Sequence, residues 1–260
     1  MKSTKPRNKP FTMDDFEKGL MLLGYLVPSN VDELNERDAL QEFEKKQKMP
    51  ALSIAAEPET HYKKIVSLIP HNKKGFAKYV LTGKIIKECR AKKEFTYIKL
   101  QKLQHLAEYM LEEELDLNYY YQTAGPYDNK LMHSLANRMQ RQKWFRGIKQ
   151  GFSPLEKVNQ VDQYFNKYFK QKKSVFDKLI ELLGNAKESQ CEIVSTLYAV
   201  WNDMLIKQEL VTEKEIINRF YNWSDRKKTY KEEQLVNALA WMKEKQVVPT
   251  GFGPLIKHKN

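Results

Sequence analysis

The chain has only two cysteines, Cys89 and Cys191, far apart and without a partner pattern. That argues against a disulfide framework and fits reduced thiols in a cytoplasmic protein. No apolar run approaches the ~20 residues that span a bilayer. No apolar stretch follows the N-terminal charges as a secretory signal requires, so no membrane partner is expected. Also missing are Gly-x-Gly-x-x-Gly and any phosphate-cradling glycine loop ending in Lys-Ser or Lys-Thr. The five histidines (His61, His71, His105, His133, His258) pair neither with one another nor with the cysteines at metal-ligand spacing. Ser134 and Ser195 lack the strand-to-helix setting of a nucleophile elbow. A metal-dependent nuclease needs clustered carboxylates and a lysine. Asp128-Asn129-Lys130 and Asp225-Arg226-Lys227 carry the short carboxylate-x-Lys fragment, but neither has an earlier carboxylate on an obvious paired strand. Glu112-Glu113-Glu114 reads as a solvated helix end. The expectation is a protein that is not an enzyme and uses neither metal nor cofactor.

Positive charge is what the chain has in excess, with a net +12. It is unevenly spread. Residues 11–60 hold five cations and eleven anions, a balance of −6; residues 61–110 hold twelve and three, a balance of +9. Residues 121–151 hold six and one, a balance of +5. Excess basic charge concentrated in one part of a chain is the footprint of a polyanionic partner. A lysine-rich solvated surface is the plain alternative.

Apolar spacing predicts a mainly α protein, a multi-helical bundle with one or two short β-strand pairs. Four regions are expected: a basic arm at 1–10, an acidic helical segment at 11–58, a basic helix-strand-turn-helix module at 59–151 and a helical domain at 152–260. In the second, Thr12 with Asp15 and Asn30 with Glu33 start helices, and the proline-bearing stretch 49–59 reads as a linker. A short helix at 62–68 and a longer one at 76–89 follow. Ser153-Pro154-Leu155-Glu156 reads as a helix start, with a cap, a first-turn proline and an acid. Thr212 with Glu215 and Thr229 with Glu232 read as two further capping boxes. The stretch 188–207 has the widest apolar face and is the expected centre of the C-terminal core. Trp201, Trp223 and Trp241 read as core.

The most informative stretch is 97–128. Leu100, Leu103, Ala107, Met110 and Leu111 make one apolar helical face, with Lys99, Lys102 and Glu108 off it. Tyr119, Tyr120 and Tyr121 suit a short strand. In the turn Gly125-Pro126-Tyr127-Asp128, Gly125 opens backbone angles closed to other residues and Pro126 fixes the angle that follows. Asp128 can cap the next helix, whose apolar positions are Leu131, Leu135 and Met139.

Lys-Leu-Gln-Lys-Leu at 99–103, Glu108 and Ala-Gly-Pro-Tyr-Asp at 124–128 resemble a helical module fused to the C-terminus of some type I restriction-modification specificity subunits. Trp201-Asn202-Asp203, Trp223-Ser224 with Lys227, and Trp241-Met242 before Val248-Pro249-Thr250-Gly251 resemble the tail of the same module. A looser likeness runs to Panacea-type antitoxin domains. The resemblance covers roughly 76–254 and implies an accessory role in a bacterial restriction, antiphage-defence or mobile-element system, without a catalytic role. The chain has no room for the two target-recognition domains of a full specificity subunit.

After the turn come Arg138, Arg141, Lys143, Arg146 and Lys149, with Trp144 and Phe145 among them. Cations neutralise phosphates, and aromatics stack or anchor. If the segment is winged-helix-like, 128–141 is the groove reader and 143–149 the wing. Trp144 reads as core, which leaves the cations free. Lys99 and Lys102 join these five as candidate DNA contacts. The expected function is a non-enzymatic, DNA-associated accessory or regulatory protein whose acidic N-terminal segment serves a protein partner. The alternative is a protein-interaction module, antitoxin-like or a complex adaptor, that binds an acidic protein.

Overall fold

Pro70 holds extended backbone, and helix α1 (His71–Cys89) starts directly after it. The computed structural model describes residues 69–92, 94–148 and 151–258. The arm, the acidic segment, the linker at 49–59 and the helix expected at 62–68 lie outside them.

The architecture is mainly helical. Helix α2 (Tyr97–Met110) begins where the Thr96 hydroxyl accepts a hydrogen bond from the Lys99 amide at 3.1 Å. Helix α3 (Asn129–Arg141) begins at Asp128, one of whose oxygens accepts from the Leu131 amide at 2.8 Å. An antiparallel hairpin follows, β1 (Phe145–Ile148) with β2 (Gly151–Pro154), and Phe145 stands opposite Pro154. Then come α4 (Gln160–Phe169), a 3-10 turn (Lys170–Lys172), α5 (Lys173–Leu183) and α6 (Glu188–Ile206). A second 3-10 turn (Asp225–Thr229) separates α7 (Glu213–Asn222) from α8 (Glu232–Glu244).

The core is built around α2 and α6, which lie against each other. Helices α1 and α5 cover α2, while α7 and α8 cover α6. The segment after α8 closes the far side. There the Tyr109 hydroxyl donates to the Pro254 carbonyl at 2.8 Å, Asn202 Nδ2 donates to the Phe252 carbonyl at 2.8 Å, and Tyr120 bridges both Tyr127 and Lys257. The tyrosine run therefore forms isolated bridges and not a full strand.

Four sequence expectations are corrected. Helix α2 is not amphipathic: every residue from Lys99 to Tyr109 is buried. Ser153 and Pro154 end a strand, because the Leu155 amide continues the hairpin to the Trp144 carbonyl at 2.9 Å, and α4 begins only at Gln160. Thr229 closes a 3-10 turn by donating to the Arg226 carbonyl, so Lys231 and Gln234 make the reciprocal contact that starts α8. The boundary at 151/152 does not separate two cores, since α2 and α6 share one. Trp223 and Trp241 are buried as expected, and Trp201 is half-buried.

Candidate nucleic-acid interface

Helix α3 turns one side inward and the rest to solvent. Leu131, Leu135 and Met139 are buried, while Lys130, His133, Asn137, Arg138 and Arg141 are exposed. The helix ends with Lys143 in the left-handed region (φ 58°), where the Trp144 amide reaches back to the Met139 carbonyl at 3.0 Å. That reversal drops Trp144 and Phe145 into the core, both fully buried. It also brings the hairpin against the helix, so that a Cβ on Gly147 would stand 3.2 Å from that of Ala136. Arg146 is left exposed on the hairpin. Arg138, Arg141, Lys143 and Arg146 thus lie on one helix-hairpin unit, and the chain has no acid between Asp128 and Glu156. Lys143 pairs with Glu156 at 2.9 Å, but both side chains are more than half exposed. An exposed pair of that kind stabilises little and is readily exchanged for a phosphate. Lys149 lies outside the described residues.

Lys99 and Lys102 are not part of this surface. Both are fully buried, because each finds backbone carbonyls inside the fold. Lys99 Nζ donates to the carbonyls of Gly184 (3.1 Å) and Ala186, and Lys102 Nζ to that of Pro126 at 2.8 Å. The motif turn is built on this lysine. Gly125 has φ +104°, and a Cβ there would meet Thr196 Oγ1 at 2.5 Å and Lys102 Nζ at 3.3 Å. Gln101 accepts from the Asp128 amide at 2.8 Å, which ties α2 to the start of α3. Pro126 and Asp128 are buried and Tyr127 half-buried, so the turn is architecture.

A second cluster of buried polar groups was not foreseen. Glu192 of α6 accepts from Lys227 Nζ at 2.9 Å and from Arg226 Nη2 at 3.0 Å, and Lys227 also reaches Thr196 Oγ1 at 3.0 Å. The lysine of the resembling tail motif is therefore an internal ion-pair partner. His105 Nδ1 lies 3.1 Å from Ser195 Oγ, and its ring packs edge-on against Tyr119 and Tyr198. Burial and the nearby Lys102 charge lower its pKa to about 3, so it is neutral and serves packing. Asp225 is almost wholly exposed and pairs with Lys228, whereas Asp128 is consumed by amides. Among the described residues, no group of three His, Cys, Asp or Glu side chains could hold a metal ion.

Burial raises the Glu108 carboxyl from 4.5 to about 8, against the opposing pull of the Leu115 amide and the Tyr119 hydroxyl. A raised folded-state value contributes stability that is full below pH ~4.5 and is lost as pH rises through about 8. Lys102 acts in the opposite sense. Burial and the Lys227 charge lower it from 10.5 to about 7, so its contribution is lost as pH falls through about 7. Glu108→Gln, neutral at every pH, should remove the first loss. In urea unfolding, wild type should lose stability relative to the variant between about pH 5 and about pH 8. Parallel profiles for the two proteins would rule out this role for Glu108.

The sequence reading missed two cations beside the exposed face, Lys78 of α1 and Lys130 of α3. Together with Arg138 they line a groove between those helices. Lys130 was visible only as the third residue of a carboxylate-x-Lys triplet. Nothing local pairs Lys78 with α3. Compared with known proteins, the chain matches no protein-family model and no curated sequence.

Proposed function

We propose that the chain is a non-enzymatic nucleic-acid-binding accessory protein that contacts DNA phosphates through α3 and the hairpin. The observation that carries this reading is the acid-free helix-hairpin unit, which exposes Arg138, Arg141, Lys143 and Arg146 on one rigid support. Cations held on a fixed frame neutralise successive phosphates without ordering a loop at the moment of binding. The resemblance at 99–103 and 124–128 supports a bacterial restriction-modification or related defence setting, with the chain working beside a larger protein partner.

Binding to a duplex should weaken steeply as salt rises, with a log–log slope of about −0.9 for each phosphate neutralised. Changing Arg138, Arg141 and Arg146 together to alanine should weaken binding to all duplex sequences alike. It should also flatten that slope by about one for each phosphate left without its arginine. Fluorescence anisotropy across a salt series measures both. A wild-type protein that binds no duplex at ~50 mM salt, where phosphate contacts are favoured, would end this reading.

A further inference from the structure

We propose that the groove between α1 and α3 takes one unpaired nucleotide of a single strand, with its base against Tyr79 and its phosphate on Lys130 and Arg138. This rests on the nucleic-acid reading above and extends it from duplex phosphates to an exposed base.

The groove has a volume of about 380 Å³, within the ~300–1,000 Å³ of small-ligand sites. Its walls carry Lys130 and Arg138, the amides of Asn72 and Gln142, and Lys78, whose ammonium donates to the Asp116 carbonyl at 3.2 Å and lies 4.0 Å from the Asp116 carboxylate. Its aromatic floor is fixed. The Tyr79 hydroxyl bonds Ser134 Oγ at 2.8 Å, and that oxygen is itself held by the Lys130 and Leu131 carbonyls. Phe76 beside it is wedged edge-on to Tyr164 at 5.1 Å and tilted on Trp144 at 5.8 Å. Two cations already face the Tyr79 ring, Arg138 at 5.7 Å and Lys78 at 5.8 Å from its centroid. Tyr79 is only half-buried, so part of its side chain meets solvent. Cations beside a held aromatic face are the combination that single strands use, because every base offers a flat face for stacking. The amides at the rim supply donors and acceptors for a base edge. Free phosphate would leave the ring unused.

Gly75 provides a clean block. It lines the groove, and a Cβ built on it meets nothing within 4 Å. Gly75→Leu would project into the groove, and leucine favours the helix over glycine, so folding is not endangered. The test uses the full chain at ~50 mM salt, with labelled single-stranded oligothymidylate and oligouridylate and a labelled duplex. Gly75→Leu should weaken single-strand binding by about tenfold or more, the scale of one stacked base, and leave duplex binding unchanged. Tyr79→Ala should do the same, and Tyr79→Phe, which keeps the ring, should not. Loss for both strands supports a nucleotide of either sugar, and loss for one alone names the source. Single-strand binding equal in wild type and Gly75→Leu overturns the proposal. So does a wild type that binds only duplex, or displacement by polyglutamate as effective as by unlabelled strand. Because Arg138 serves both readings, the duplex reading is tested apart from the groove with Arg141→Ala and Arg146→Ala alone, neither of which lines it.

Discussion

Glu192→Ala should destabilise the protein by about 3–5 kcal/mol, the cost of leaving a buried charge without its counter-ion. Both Glu192 and Lys227 are fully buried, 2.9 Å apart. Burial already lowers the Lys227 ammonium to about 8, and the Glu192 carboxylate is what opposes a further fall. Without that carboxylate the lysine must lose its proton or draw water into the core, and either route costs stability. Arg226 suffers less, since 46% of its side chain is exposed and can return to solvent. The sharper half of the prediction is the paired change. Glu192→Leu with Lys227→Met replaces both charges by apolar groups of similar volume and should recover most of the loss. Urea unfolding of the two proteins measures both effects. A Glu192→Ala protein within ~1 kcal/mol of wild type would mean that the pair is already solvated.

Trp144→Ala should cost about 3–5 kcal/mol, as expected for emptying a site the size of an indole in a close-packed core. Trp144 is fully buried, with ring centroids 5.8 Å from Phe76 and 5.9 Å from Tyr164, and its Cε3 stands 3.4 Å from where a Cβ on Gly83 would lie. It is also the residue that returns the chain from α3 into the hairpin, so the loss falls where the basic surface is seated. Duplex binding should therefore weaken in Trp144→Ala although no cation has been removed. Trp144→Phe is the informative control. The indole Nε1 has no hydrogen-bond partner among the described residues, so phenylalanine removes an unmatched donor along with some volume. Its cost should stay below about 1.5 kcal/mol. Equal losses for alanine and phenylalanine in thermal and urea unfolding would contradict this account of the site.

What could be read from the sequence was mostly local. Asp128 caps α3 and Thr212 caps α7, because a short side chain needs only an amide three residues on. The wing expected at 143–149 overlaps the first strand of the hairpin. The mainly helical class and the burial of Trp144 followed from apolar spacing. The failures came from partners that spacing does not reveal. Lys99 and Lys102 read as solvated because lysine usually is, yet their acceptors lie between 24 and 87 residues away. Glu192 and Lys227 are 35 residues apart on elements with no shared pattern. At Ser153-Pro154 two local signals competed, and pairing with the β1 strand prevailed over helix initiation. For the candidate site, the exposed cations of α3 and the hairpin were legible in sequence. The groove was not, since its Tyr79 wall comes from another helix.

The way α2 is enclosed also dictates an order of events during synthesis. Its buried lysines are held by carbonyls at 126, 184 and 186, and its Tyr109 by a carbonyl at 254, across 145 residues of intervening chain. Such distant closures must overcome loop entropy before they stabilise anything. Emerging from the ribosome, 97–110 has only α1 to pack against until α5 and α6 follow, and it stays open on one side until the segment after α8 docks. The interval between those two steps is when this chain has most need of a chaperone or a protein partner.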